Sequence, residues 1–387
     1  MGKRYSFSAE VILSNLVLMW IFMALFLPSM KFFFFSPVLN FLCLAIGVAI
    51  AITGIKYFKV DKEGLLALMI FSLFFALLTS SFWQGYSDPD ASYAMKLISI
   101  VMFVFLTVYF ANKTDTSGDF LLKLSVCYGL AFCLFKWVGI IKASSAGALS
   151  YLNLALPIGM AVIGAYLMLL RSNGGLKKAV ILLALLFLLV SMLTTPARGV
   201  LLGTFLILVF MSFRYQRKRH IAYLALCFTP VLVLYWEQIQ SVSTFFLSKM
   251  ERLIFSIEEE ARYKYYVGVF ELVSEQLYGF GLRSYSVLLG FYPHSLSLEM
   301  LIVGGFVLAG VFWFIIFLSF TKIYKLLGLK PDLDYIYLLT VYFLIQWHLS
   351  YELSSAYGVF ICLSFILSKS VKLPSKTEAY PGGKLCV

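Results

Sequence analysis

Apolar runs of about 20 residues recur along nearly the whole chain, and each is long enough to cross the ~30 Å of bilayer hydrocarbon as a helix. A helix bonds all of its backbone groups within the segment, so it can stand in lipid without unsatisfied N–H or C=O groups. Only 13% of the 387 residues are charged while 61% are hydrophobic, too little polar surface to cover a soluble domain of this size. The pattern predicts an all-α polytopic membrane protein. Spans are expected at 9–28, 36–55, 64–82, 93–111, 119–141, 149–170, 177–195, 197–213, 220–236, 295–320, 333–350 and 353–369, twelve in total.

The basic residues support that count. With Lys3 and Arg4 inside, the cytoplasmic connections hold Lys56, Lys59 and Lys62; Lys113; Arg171, Lys177 and Lys178; and Arg214, Arg217, Lys218 and Arg219. Lys322, Lys325 and Lys330 follow, and then the tail with Lys369, Lys372, Lys376 and Lys384. On the opposite side, Ser29–Phe35 has only Lys31 and Trp83–Ser92 has no basic residue. A miscounted span would invert the alternation, so the positive-inside rule predicts both termini in the cytoplasm. These loops also account for the net charge of +12, and no nucleic-acid partner is expected. No small-residue cleavage site follows the first apolar run, which reads as a retained span.

The division that follows is an N-terminal transmembrane region over 1–236, a long outward loop over 237–293, a C-terminal transmembrane region over 294–370 and a cytoplasmic tail over 371–387. Cys43, Cys127, Cys133, Cys227 and Cys362 fall in spans and Cys386 in the tail, without metal or disulfide spacing; they read as small buried hydrophobes. In the long loop, Glu258–Glu260 precede a segment where Arg262, Tyr265, Tyr266, Val269, Val273 and Leu277 share one helical face. Gly279-Phe280-Gly281 ends it. One or two amphipathic helices are expected there, lying on or plugging the membrane domain. No internal repeat suggests the symmetry of an inverted-repeat transporter.

The candidate chemistry lies at the outer span ends. Arg198 follows Thr194-Thr195-Pro196-Ala197 at the mouth of the eighth span. A cation bordering hydrocarbon costs about 3 kcal/mol on insertion scales. It reads either as a snorkelling arginine or as an anion ligand. Arg262 reads as a partner of Glu258 or Glu259 one turn back, or as an anion-binding group at a helix N-terminus. Arg283 reads as a surface residue or a further substrate contact. His294 follows Pro293 and opens a span with Glu299 about one turn deeper; an imidazole titrating near 6.5 is suited to general-base work at neutral pH. His348 and Glu352, one helical turn apart, read as a structural hydrogen-bonded pair or as a second polar patch, with Trp347 and Tyr351 in the interfacial aromatic belt. Asp88 and Asp90 would suit a divalent ion but have no evident third ligand. Nucleotide-binding loops and metalloprotease or serine-hydrolase motifs are absent. No cofactor or metal is expected.

These residues resemble bacterial O-antigen ligases and O-antigen or capsule polymerases. The resemblance covers about 195–310. It rests on Thr195-Pro196-Ala197-Arg198-Gly199, the helix led by Arg262, Gly279-Phe280-Gly281, and His294-Ser295-Leu296-Ser297-Leu298-Glu299 with Gly304-Gly305. Where the family often has Asn after the histidine, this chain has Ser295. The resemblance implies a GT-C-like glycosyltransferase of the bacterial inner membrane with its site facing the periplasm. It implies an undecaprenyl-diphosphate-linked glycan donor and an acceptor that is either another lipid-linked repeat unit or lipid A-core. Arg198 and Arg262 would clamp the diphosphate, with Arg283 and Glu299 as further substrate contacts and His294 as general base. Membrane lipids and a chain-length regulator are implied partners. A lipid-linked-oligosaccharide flippase is the reading from another class, disfavoured because the ionisable residues gather at the outer face rather than the midplane.

Overall fold

The computed structural model describes residues 9–30, 36–56, 60–111, 118–141, 151–172, 174–195, 197–215, 261–327 and 331–369. Among them the regular structure is entirely helical. In chain order the helices are α1 (Ala9–Met30), α2 (Ser36–Thr53), α3 (Lys62–Ser80), α4 (Ala91–Ala111), α5 (Gly118–Trp137), α6 (Tyr151–Arg171) and α7 (Gly175–Leu193). They continue with α8 (Arg198–Arg214), α9 (Ala261–Glu275), α10 (Ser284–Leu288), α11 (Leu296–Leu326), α12 (Pro331–Leu349) and α13 (Tyr357–Ser368). Seven of these (α1, α3, α4, α5, α6, α7 and α11) are long and apolar enough to cross a membrane, and α2, α8 and α13 contain shorter apolar helices. The protein is therefore an all-helical, membrane-embedded chain. Each predicted span except 220–236 coincides with a described helix; that one lies outside the described residues.

Burial divides the helices into two kinds. In α3 and α11, Leu65, Leu66, Met69, Leu73, Trp313, Phe314 and Phe317 stand exposed on outer faces, as lipid contact requires. In α13 every residue from Tyr357 to Ser368 is buried, and Phe360 packs against Phe74 of α3 and Phe312 of α11. At the opposite end from the candidate site, Arg171 closing α6 joins Asp119 of α5 (3.3 Å) and Asp334 of α12 (2.9 Å). Among the cysteines, Cys43, Cys133 and Cys362 are buried as expected, but Cys127 is exposed.

The segment Leu296–Leu326, expected to be one uninterrupted span up to residue 320, is broken within its apolar run. Gly304 (φ −127°, ψ 15°) and Gly305 (φ 66°, ψ −160°) leave the helical region. The break is filled from the long loop. Phe280 and Gly281 donate their N–H groups to the Ile302 and Val303 carbonyls (2.8 and 3.0 Å), and Phe306 N–H donates to Leu277 O (3.1 Å). A helix may break inside a bilayer only where protein satisfies the freed backbone groups, as here. The backbone of the Gly279-Phe280-Gly281 turn thus fills the gap in α11. Within α9, Val269 and Val273 of the predicted face are buried, whereas Leu277 lies beyond the helix end and is exposed.

Candidate functional site

The first wall of the site is the junction between α7 and α8. Thr194 and Thr195 end α7, Pro196 lies outside the described residues, and Arg198 is the first residue of α8. Nothing is described of the Arg198 side chain, which lies outside the described set, but its backbone position is held from two directions. Lys136, near the end of α5, donates to Ser191 O (2.7 Å), Thr194 Oγ1 (2.6 Å) and Thr195 Oγ1 (2.8 Å). That engages all three ammonium protons. Trp137 adds an indole N–H to Ser191 Oγ at 2.8 Å. From the other side, Gln346 Nε2 donates to Gly199 O at 3.2 Å. A Cβ on Gly199 would stand 3.6 Å from Ser350 Oγ, so the start of α8 lies against the end of α12.

The second wall is the chain entering α11. His294 has φ 53°, a left-handed backbone uncommon for a residue with a side chain, and Pro293 precedes it. Its ring lies 4.1 Å from Tyr292 and 5.0 Å from Phe291, centroid to centroid. Tyr265 of α9 stacks on Phe291 at 5.7 Å, one turn along from Arg262. The Arg262 side chain also lies outside the described residues. Tyr292 OH donates to Ser350 O at 3.2 Å. The end of α12 at Leu349–Ser350 thus touches both the residue after Arg198 and the aromatic clamp around His294.

Glu299 and Arg283 occupy a neighbouring layer. Glu299, 1% exposed, accepts from Tyr93 OH through Oε1 (3.2 Å) and from Leu353 N–H through Oε2 (2.7 Å). Its carboxylate therefore ties α11 to α4 and to the turn that follows α12. Arg283 (φ 57°) pairs with Asp90 at 2.5 Å, its guanidinium 5.8 Å from the centre of the Tyr93 ring. Asp90 also accepts from Tyr93 N–H at 2.7 Å, capping the start of α4. That backbone bond, then the Arg283 guanidinium, hold the Asp90 carboxyl below its ordinary value. Burial pushes the Tyr285 phenol, beside Glu299 and Tyr93, far above its ordinary value. Among the described residues no three His, Cys, Asp or Glu side chains gather to hold a metal ion.

Two expectations about the end of α12 are corrected. His348 does not pair with Glu352: its Nε2 meets Ser297 Oγ at 2.6 Å, while Glu352 accepts from Ser354 Oγ. The chain leaves the helix at Leu349, so the one-turn spacing across 348–352 is not helical. Trp347 and Tyr351 are buried and stacked at 4.3 Å, core packing rather than an interfacial belt.

The predicted span 119–141 encloses Lys136, so the sequence does not single it out. The signal it shares with Arg198 is a cation near a span end that the predicted topology assigns to the outer side, where the positive-inside rule disfavours it. No family model matches this sequence, and no curated protein matches it.

Proposed function

We propose that the protein is a GT-C-like glycosyltransferase with twelve spans, facing the periplasm from a bacterial inner membrane. Its reaction moves an undecaprenyl-diphosphate-linked glycan onto the acceptor sugar of another lipid-linked repeat unit. The observation that carries this reading is the convergence on α12. Gly199, next to Arg198, lies against Leu349–Ser350, and Ser350 O also receives the Tyr292 hydroxyl beside His294. A diphosphate leaving group needs its charge neutralised, and the guanidinium forks of Arg198 and Arg262 match phosphate oxygens. His294 takes the proton from the acceptor hydroxyl as the oxygen attacks the anomeric carbon. The bond to the diphosphate breaks in the same displacement, which inverts that carbon. The aromatic clamp supports the histidine role, because a base must be held in a fixed direction to be effective.

Transfer to lipid A-core would use the same clamp and base with a different acceptor. The glycan profile of a strain lacking only this gene tests these readings. Single capped repeats without long chains are expected for the polymerase. Long chains left on the polyprenyl carrier would indicate the ligase, and repeats held on the cytoplasmic leaflet would replace both with a flippase. In the complemented strain, His294→Ala is expected to lower transfer by about 100-fold or more at normal expression. Arg198→Lys is expected to lose the bidentate contact and most of the activity; full activity of either variant would remove that residue's role.

A further inference from the structure

We propose that Ser297 and His348 form a nucleophile–base pair acting on carboxylic esters of membrane lipids, a site separate from the glycan chemistry above. His348 Nδ1 lies 2.7 Å from Leu344 O and its Nε2 lies 2.6 Å from Ser297 Oγ. A carbonyl oxygen only accepts, so Nδ1 carries the proton and Nε2 is the basic nitrogen. The Ser297 hydroxyl therefore donates to Nε2. A nucleophile bonded to a base that a third group holds in one tautomer is the arrangement of activated serines on unrelated folds. Here the third group is a backbone carbonyl.

The two helix ends favour the proton transfer. Ser297 is the second residue of α11, at the positive end of its dipole, and Ser295 makes no side-chain cap there. His348 is the penultimate residue of α12, at a negative end. Moving the proton from Oγ to Nε2 places negative charge at a helix N-terminus and positive charge at a helix C-terminus. Both products gain from the dipoles, and the uncapped first-turn N–H groups of α11 can receive the oxyanion that follows. Ser297 and His348 are each half-buried rather than enclosed in the core. Trp313 of α11, 52% exposed, lies 5.9 Å from the imidazole, ring centre to ring centre, and offers an apolar surface for an acyl chain beside the base.

The steps balance. Ser297 Oγ attacks the ester carbonyl carbon while its proton passes to His348 Nε2. The bond to the alcohol oxygen breaks and the alcohol leaves with that proton. Water then attacks the acyl-serine, giving a proton to Nε2, and Ser297 leaves with it, so one ester and one water yield one acid and one alcohol.

The test uses the full chain in lipid nanodiscs and a long-chain fluorophosphonate probe, with the adduct mapped by mass spectrometry. Labelling of Ser297 is expected, slowed about 100-fold in His348→Gln. The proposal is overturned by a wild-type protein without adduct, by an adduct on another serine, or by labelling that His348→Gln leaves unchanged. Should that variant misfold, Ser297→Cys supplies a second measurement. Its thiol is expected to react faster with methyl methanethiosulfonate when His348 is present than in Ser297→Cys combined with His348→Asn, and equal rates would also overturn the proposal. Both readouts follow adducts at position 297 rather than glycan products, so the pair stands or falls apart from the glycosyl-transfer reading.

Discussion

Lys136 shows how much one side chain can organise. Its ammonium is enclosed by Ser191 O, Thr194 Oγ1 and Thr195 Oγ1, the acceptors that end α7 before the turn to Arg198. Replacing it with methionine removes three charge-assisted bonds and leaves Ser191 O with only the Thr194 and Thr195 hydroxyls, so Lys136→Met is expected to destabilise the fold by about 1–3 kcal/mol, read as a fall in melting temperature in detergent. An unchanged melting temperature would show that water replaces the ammonium fully. Asp90 gives the pH dependence at this scale. Its carboxyl is held below the ordinary value by Tyr93 N–H and then Arg283, so its contribution is present above the unfolded carboxylate pKa of ~3.9. The contribution is lost as pH falls through the lower folded value. Asp90→Asn is expected to lose the part of the acid sensitivity below pH ~4 that comes from this group, checked by melting curves of both proteins across that range. Arg198, Arg262 and His294 were legible as residues because charge beside hydrocarbon is conspicuous. Lys136 and the Ser297–His348 pair were not, because their meaning lies in partners 51 to 59 positions away.

Among the elements, the broken helix α11 separates composition from conformation most clearly. Leu296–Leu326 reads as one apolar run, since hydropathy averages over a window and two glycines hardly alter it. The break becomes visible only with Gly279-Phe280-Gly281 in place, whose N–H groups occupy the carbonyls that the helix gives up. At Gly305 the backbone is left-handed, and a Cβ would collide with the Leu277 carbonyl. Gly305→Ala is expected to cost at least about 1–3 kcal/mol, because neither the backbone strain nor the collision with a carbonyl is relieved by turning a side chain. Size-exclusion behaviour and melting temperature check it; a wild-type profile would mean that the loop undocks freely. The aromatic residues near the end of α12 carry the same lesson in reverse. Trp347 and Tyr351 have the composition of an interfacial belt, yet they stack inside the protein, where the Trp347 indole N–H donates to Glu352 O in the turn that follows.

Across the whole molecule, the loop after α3 and the segment before α11 share one face. Gln84 Nε2 donates to Tyr278 O and Asp88 N–H to Leu282 O. The proposed twelve-span topology would put this face in the periplasm. Gly85 has open space around it, so Gly85→Cys is expected to fold normally and to react with a membrane-impermeant maleimide in intact cells, the native protein serving as background. Labelling only after the membrane is opened would invert the topology. The sequence by itself determined that the chain is helical and membrane-embedded, and roughly where each long described helix begins and ends. Lipid acts as a solvent on each segment separately, so the apolar run and the placement of lysine and arginine carry that information locally. Only the tertiary structure decided that Lys136 holds the approach to Arg198 and that a loop mends the break in α11. It also decided that the end of α12 joins the start of α8 to the clamp around His294. These are contacts between segments far apart in the chain, set by the packing of helix against helix, where shape and hydrogen-bond complementarity rather than hydropathy choose the partner.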